Sequence, residues 1–276
     1  MQILTTAAEV RRELDKRSAT VGFVPTMGAL HAGHISLVER ARAECDTVVV
    51  SIFVNPTQFN DPDDLIRYPR TPEADCALLA EAGTDIVFMP SVEEIYPAPD
   101  TRQFAFGALE RVMEGEHRPG HFNGVGQVVS RLLEIVAPDR AYFGEKDYQQ
   151  LAIIRELVRQ LALPLEIVGC PIRRDADGLA LSSRNVRLNA EQRAAAPAIY
   201  RTLVQAGEKA SEMDVEQLEQ WVAEQIDAVA ELKTEYIAVA DAATLQPVAS
   251  WDAPGDKRIF AAVWAGDVRL IDNIAL

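Results

Sequence analysis

The sequence predicts an α/β protein in which a mainly parallel, doubly wound sheet over residues 1–170 is followed by a smaller α+β domain over residues 171–276. Three observations predict it. Strand-like and helix-like stretches alternate through the first part, which brings successive strands into one parallel sheet. Residues 47–54 form a nearly continuous apolar run, the signature of a strand covered on both faces. Beyond residue 189 the alternation stops, and two helical stretches precede three strand-like ones.

The elements follow in order. Residues 1–4 read as a short strand and residues 7–16 as a helix with Val10 and Leu14 on one face. A strand over 20–24 is closed by Pro25, which cannot donate to a ladder. From Gly33 the spacing of Ile35, Leu37 and Val38 fits a helix reaching Glu44. The strand over 47–54 stops at Asn55-Pro56. Residues 55–70 have no sustained period and carry three prolines, and a loop of that length inside a domain implies a task. It starts at the C-terminal end of a central strand, where open α/β sheets bind ligands, so Asn55 and Gln58 are candidates for a neutral polar ligand.

Thr71 and Pro72 form a helix start, with Glu81 near its end and Gly83 beyond it. A strand over 85–89, a short capped helix at 91–94 and a further strand over 101–106 come next. Arg118 and His121 lie in a loop ahead of a helix over 124–136, and His117 lies on an exposed turn. A strand over 139–143 leads through Gly144-Glu-Lys-Asp147 to a helix ending at Leu161, and 165–168 is the last strand of the alternating part. A polar loop over 173–185 opens the second domain. Asn189 caps an alanine-rich helix reaching Lys209, a second helix covers 215–232, and strands cover 235–240, 258–264 and 268–274.

Composition bounds the function. The formal charge of −15 argues against a nucleic-acid surface, which needs clustered Lys and Arg. It leaves room for a small anionic substrate, because Arg118, Lys146, Arg173 and Arg184 all lie in turns. Cys45, Cys76 and Cys170 have neither metal nor disulfide-framework spacing, which suits a reducing cytosol. The charged residues from Glu9 to Arg17 predict no signal peptide, and no apolar run is long enough to span a bilayer.

The chemistry concentrates in the stretch after the 20–24 strand. A glycine-punctuated turn between strand and helix presents unpaired N–H groups and the positive end of a helix dipole, a ready phosphate site. His31 and His34 add donors that can follow charge onto a leaving group. The chain has four histidines, His31, His34, His117 and His121, all in glycine-bearing turns. The strand, Gly-x-Lys turn and helix at 139–161 repeat the anion-binding geometry, with Lys146 as a mobile cation.

Six segments together resemble the pantoate–β-alanine ligase family: Pro25-Thr-Met-Gly-Ala-Leu-His-Ala-Gly-His34, Val54-Asn-Pro-Thr-Gln-Phe59, Tyr68-Pro-Arg-Thr71, Arg118-Pro-Gly-His-Phe122, Gly144-Glu-Lys-Asp147 and Asp177-Gly-Leu-Ala-Leu-Ser-Ser-Arg-Asn185. The resemblance covers essentially the whole chain. It implies a Rossmann-like first domain, a C-terminal domain acting as a lid over the triphosphate with the ligand between the two, and a cytoplasmic homodimer. The implied reaction joins pantoate to β-alanine with ATP and Mg²⁺ through a pantoyl adenylate. By position, ATP would be met by Met27, Gly28, Ala29, Leu30, His31, Ala32, Gly33 and His34, with His34 as proton donor and His31 beside it on the phosphates. Gly144, Glu145, Lys146 and Asp147 would also meet ATP, Lys146 through the phosphates and Asp147 through the ribose. Leu181, Ser182, Ser183 and Arg184 would close over the triphosphate. Gln58 would bind pantoate and then β-alanine, and Gln150 would also hold pantoate.

Two positions depart from the family pattern. Arg173 stands where an apolar residue usually contacts ATP through its backbone, and Leu181 where methionine is frequent; backbone contacts survive both changes. The rival readings are another adenylyl transferase of the same fold and a nucleotide-binding regulator without catalysis. The Gln58 loop and the second domain argue against the first, and His31, His34 and Lys146 together against the second.

Overall fold

The computed structural model describes residues 1–17, 19–59 and 62–276. The chain forms two compact units, neither an uninterrupted stretch. The first comprises Met1–Phe106, Arg118–Glu145 and Gln150–Pro171; the second comprises Gly107–His117, Lys146–Gln149 and Ile172–Leu276.

The first unit is built on a six-stranded sheet. Its strands are β1 (Gln2–Leu4), β2 (Val21–Thr26), β3 (Thr47–Ile52), β4 (Ile86–Phe88), β5 (Arg140–Gly144) and β6 (Glu166–Cys170), in the order β1-β4-β3-β2-β5-β6. Every pair is parallel. From β2 the chain winds outward through β3 and β4, then restarts on the other side with β5 and β6. The topological switch therefore falls between β2 and β5, where sheets of this type hold ligands. The helices of this part are α1 (Ala7–Leu14), α2 (Ala32–Glu44), α3 (Pro62–Arg67), α4 (Pro72–Glu81) and α5 (Val92–Ile95). After α6 (Glu114–His117), which belongs to the second unit, come α7 (His121–Val136) and α8 (Tyr148–Gln160). One core cluster joins Val24, Val48, Val50 and Val87 of the sheet to Leu37, Val38 and Leu79 of the helices.

Several expectations are corrected here. Pro25 does not close β2, which continues to Thr26 in register with β3; β5 pairs only with Gly22 and Phe23, so Pro25 stands beyond the end of that ladder. The stretch from 55 to 70 is not all loop. A 3-10 turn at Pro56–Gln58 and α3 interrupt it, the latter with Asp63 and Asp64 in its first turn and Arg67 in its last, as the helix dipole favours. Residues 101–106 form no strand: Asn123 accepts from Phe104 N–H, and Gln127 donates to the Arg102 carbonyl, so side chains of α7 meet their backbone groups. His121 is the first residue of α7 rather than part of the loop before it.

The second unit holds a three-stranded antiparallel sheet, β7 (Leu232–Asp241), β8 (Lys257–Ala265) and β9 (Val268–Ala275). Its helices are α9 (Ala190–Ala195), α10 (Ala198–Lys209) and α11 (Val215–Asp227). Leu203, Leu218, Val222 and Ile226 of the helices pack on Val239, Ile259, Ala261 and Val263 of the sheet. The expected single alanine-rich helix is two, because Pro197 lacks the N–H that a continuous helix needs. The second helix ends at Asp227, not 232; the Asp227 carboxylate accepts from Thr234 N–H and turns the chain into β7.

A buried ion cluster explains why residues 107–117 group with this unit. Arg269 donates to both Glu114 oxygens at 2.8 and 2.7 Å, and Tyr236 donates to Glu114 at 2.8 Å. Burial opposes the charge on Arg269, but Glu114 and Glu235 outweigh it and raise its pKa above the ordinary value. Gln149 ties the same segment down, donating to the carbonyls of Leu109 and Val112. His117 stacks on Tyr236 with ring centroids 5.0 Å apart, so it is a packing residue.

In the first unit, Arg102 and Arg131 flank the Asp100 carboxylate, which is only 3% exposed. Hydrogen bonds from Arg102 outweigh desolvation and pull its pKa from 3.8 to about 2. A depressed folded-state pKa contributes stability above the unfolded value and loses it as pH falls through the folded value. Asp100→Asn should therefore flatten the fall in unfolding free energy between about pH 4 and 2, measured by urea titration at a series of pH values.

Candidate active site

The turn after β2 is a tight structure with one organiser. Gly28 and Ala29 both lie in the left-handed region, at φ 80 and 50. For a non-glycine residue that conformation costs roughly 1–2 kcal/mol, so something must hold Ala29 there. The buried Asp75 carboxylate on α4 does so, accepting from Ala29 N–H at 2.9 Å and Leu30 N–H at 2.8 Å. Thr71, expected to cap α4, spends its hydroxyl on Asp75 at 3.1 Å instead. A Cβ on Gly28 would sit 3.0 Å from the same carboxylate.

His31 is the N-cap of α2, whose first residue is Ala32 rather than Gly33. Its Nδ1 accepts from Gly33 N–H at 3.1 Å, and His34 Nδ1 accepts from His31 N–H at 3.3 Å. The two rings lie 4.1 Å apart. A backbone amide can only donate, so both Nδ1 atoms are unprotonated and each neutral ring carries its proton on Nε2. The turn thus holds two imidazoles as N–H donors at a helix N-terminus, half-buried beside Met27 and Leu30.

The Gln58 loop lies in the same unit. Gln58 Nε2 donates to the Met27 sulfur at 3.2 Å, and Gln58 Oε1 accepts from Asn55 at 3.2 Å. Asn55, expected to be open to ligand, is 1% exposed and committed: it accepts from Tyr96 and Thr57 and donates to the Gly124 carbonyl. It is a brace for the loop. His121 contributes from behind, its Nδ1 2.9 Å from the Gln58 carbonyl oxygen. Gly124 lets α7 approach closely, since a Cβ there would meet the Thr57 carbonyl oxygen at 2.5 Å. Gln150, on α8, is half-buried.

The other predicted residues lie along β5 and in the second unit. Gly144 ends β5 and Glu145 opens a 3-10 turn, both in the first unit; Lys146 and Asp147 complete the turn in the second. The Lys146 side chain is 18% exposed and that of Asp147 50%. Arg173 and Leu181 face each other across a narrow hairpin, with Leu181 N–H donating to the Arg173 carbonyl at 3.0 Å. Gly178 turns its tip at φ 95, and Arg193 pairs with Asp175 and Asp177 there. Ser182 caps the following 3-10 turn, accepting from Arg184 N–H, and Ser183 is buried. Lys146, Ser182, Asn185 and Asp272 line one small cleft.

Among the described residues no group of three or more His, Cys, Asp or Glu side chains is placed to hold a metal ion. Mg²⁺ is commonly bound through substrate phosphates with one or two carboxylates rather than by a cage of protein ligands.

A parallel sheet with its switch beside a histidine-bearing, dipole-ended turn defines an α/β enzyme that works on phosphates. The chain belongs to the pantoate–β-alanine ligase family, whose model it matches over residues 2–275. It is 56% identical to the pantothenate synthetase of Porphyromonas gingivalis over 277 residues, 99% of each chain. A crystal structure of pantothenate synthetase from Thermus thermophilus superposes with a TM-score of 0.93, at 49% identity and 99% coverage of both chains. A Francisella tularensis pantoate–β-alanine ligase, solved with β,γ-ATP and β-alanine, superposes with a TM-score of 0.84 at 37% identity, covering 100% of this chain and 97% of that one. The chain is thus an enzyme, a ligase for the ATP-dependent condensation of pantoate with β-alanine.

Two supporting residues escaped the sequence reading. Asp75 carries no local signal, sitting inside an ordinary helix. Gly124 carried one, being with Gly126 a glycine inside an apolar helical run, which marks close approach. Gly124→Ala should push the Pro56–Gln58 turn away and, with Gln58 assigned to pantoate as proposed below, raise the KM for pantoate about tenfold while the KM for ATP stays within a factor of two, in steady-state kinetics.

Proposed function

We propose that the chain activates pantoate as an adenylate and then transfers the pantoyl group to β-alanine. A pantoate carboxylate oxygen attacks the α-phosphorus of ATP, the bond to the β-phosphate breaks, and pyrophosphate leaves. The amine of β-alanine then attacks the acyl carbon, and AMP leaves with the bonding pair. Both steps rest on positioning and charge compensation. Nucleophilic side-chain catalysis is not needed.

The observation that carries this reading is the pair of imidazoles whose Nδ1 atoms are occupied by backbone amides. Each offers an Nε2–H to phosphate oxygens, and His34 is assigned to the charge developing on the departing pyrophosphate. Met27, Gly28, Ala29, Leu30, Ala32 and Gly33 form the turn against which the nucleotide lies. Lys146, Ser182, Ser183 and Arg184 are assigned to the triphosphate, with Gly144, Glu145, Asp147, Arg173 and Leu181 lining the nucleotide. Gln58 and Gln150 are assigned to pantoate, and Gln58 afterwards to β-alanine. Neutral amides suit a carboxylate that must stay nucleophilic, since an arginine would hold its charge in a salt bridge. Mg²⁺ would enter on the triphosphate and supply charge neutralisation there. A cytoplasmic homodimer belongs to the same reading: three free cysteines suit a reducing compartment, and the dimer rests on family resemblance.

The test is pantoate-dependent exchange of labelled pyrophosphate into ATP without β-alanine. Exchange is expected, and His34→Ala and Lys146→Ala should each lower it by on the order of 10²–10³. Gln58→Ala should weaken pantoate by roughly 1–3 kcal/mol and leave ATP binding nearly unchanged. ADP formation, or exchange undiminished in both the His34 and Lys146 variants, would contradict the mechanism.

A further inference from the structure

The last strand carries two adjacent polar residues that are both buried, although they face opposite sides of the sheet. Asp272 is 5% exposed and Asn273 2%. Buried polar groups are destabilising unless their bonds are made, and each of these two side chains bonds to a loop. Asn273 Nδ2 donates to the backbone carbonyl of Lys146 at 3.0 Å. Its Oδ1 accepts from the Arg258 guanidinium, and that guanidinium lies over the Tyr148 ring at 4.2 Å, so the turn carrying Lys146 is gripped twice from the sheet. Asp272 accepts both Arg174 nitrogens, at 2.6 and 2.8 Å. Arg174 also donates to the Gly178 carbonyl, lies 3.7 Å from the Tyr200 ring centroid and pairs with Ala180 across the hairpin that leads into Ser182. Asp272 Oδ1 also accepts from the backbone N–H of Asn273 at 2.8 Å, which fixes the Asp272 carboxylate against the strand.

We infer that Asp272 and Asn273 are positioning residues for the reaction: one dipeptide on β9 sets the backbone of Lys146 and the base of the hairpin that delivers Ser182, Ser183 and Arg184. The inference rests on the assignment of Lys146 to the triphosphate. It accounts for the grouping of Lys146–Gln149 with the second unit although β5 belongs to the first. Asn273 is the strongest lever, since its amide group is the direct bond to the lysine backbone.

The test is a double-mutant cycle on Asn273→Asp and Lys146→Ala. The aspartate has the same shape but puts a carboxylate oxygen where the donor stood. Pyrophosphate exchange should fall roughly 10- to 100-fold in Asn273→Asp, with the KM for pantoate within a factor of two. In the Lys146→Ala background the same substitution should add less than a twofold loss, because the group it positions is gone. A merely structural role would instead multiply with the Lys146 loss and lower the melting temperature equally in both backgrounds. Multiplying losses, or unchanged exchange in a folded Asn273→Asp, would overturn the inference; Asn273→Ser serves if the aspartate does not fold. If the native enzyme shows no exchange, the adenylate reading fails, and the cycle is then read from ATP affinity by calorimetry. There, weakening of ATP binding by Asn273→Asp only when Lys146 is present supports positioning, and equal weakening in both backgrounds contradicts it.

Discussion

One carboxylate governs the geometry of the turn after β2. Asp75 reaches from α4 to the amides of Ala29 and Leu30, and so fixes two successive left-handed residues at the end of β2. Without it those amides would lack their partners and Ala29 would sit in a conformation that alanine disfavours. The direction in which the chain enters α2 follows from that bond, and the placing of His31 and His34 follows from the entry. Buried among apolar neighbours, an aspartate is stable only because its bonds are made, so the turn and the carboxylate hold each other.

The histidines show how a local rule becomes chemistry. Helix starts are ordinarily capped by Ser, Thr, Asp or Asn. Here His31 takes that place and His34 closes the reciprocal bond. Capping consumes Nδ1 and so decides which nitrogen carries the proton. A similar arrangement recurs around Gln58, where Asn55, His121 and Gly124 hold the loop from behind.

What could be read from the sequence was whatever depends on period or on turn composition. The buried strand expected over 47–54, which ends at Ile52, the stop at Gly83, the Asn189 and Ser91 caps and the three final strands follow from such local patterns. Helix ends near Pro197 and Asp227 were misplaced because apolar spacing ran on past them, while a proline ring and an aspartate bond to Thr234 ended them. Residues 101–106 have strand-like composition but take their partners from Asn123 and Gln127, a tertiary choice invisible in a window. Asp75, Asp272 and Asn273 were missed for the same reason. Asp75 and Asn273 bond to backbone and Asp272 to the Arg174 side chain, all far away in sequence, and nothing in their neighbours announces it.

The central claim is that backbone amides hold both imidazoles in the Nε2–H form. Nitrogen-15 NMR of imidazole-labelled enzyme tests it most directly, with His31→Gln and His34→Gln variants assigning the signals. At neutral pH, each histidine should show an unprotonated Nδ1 and a protonated Nε2, with the Nε2 resonance shifting on addition of ATP. Protonated Nδ1 in either ring, or Nε2 resonances unmoved by saturating ATP, would contradict the account.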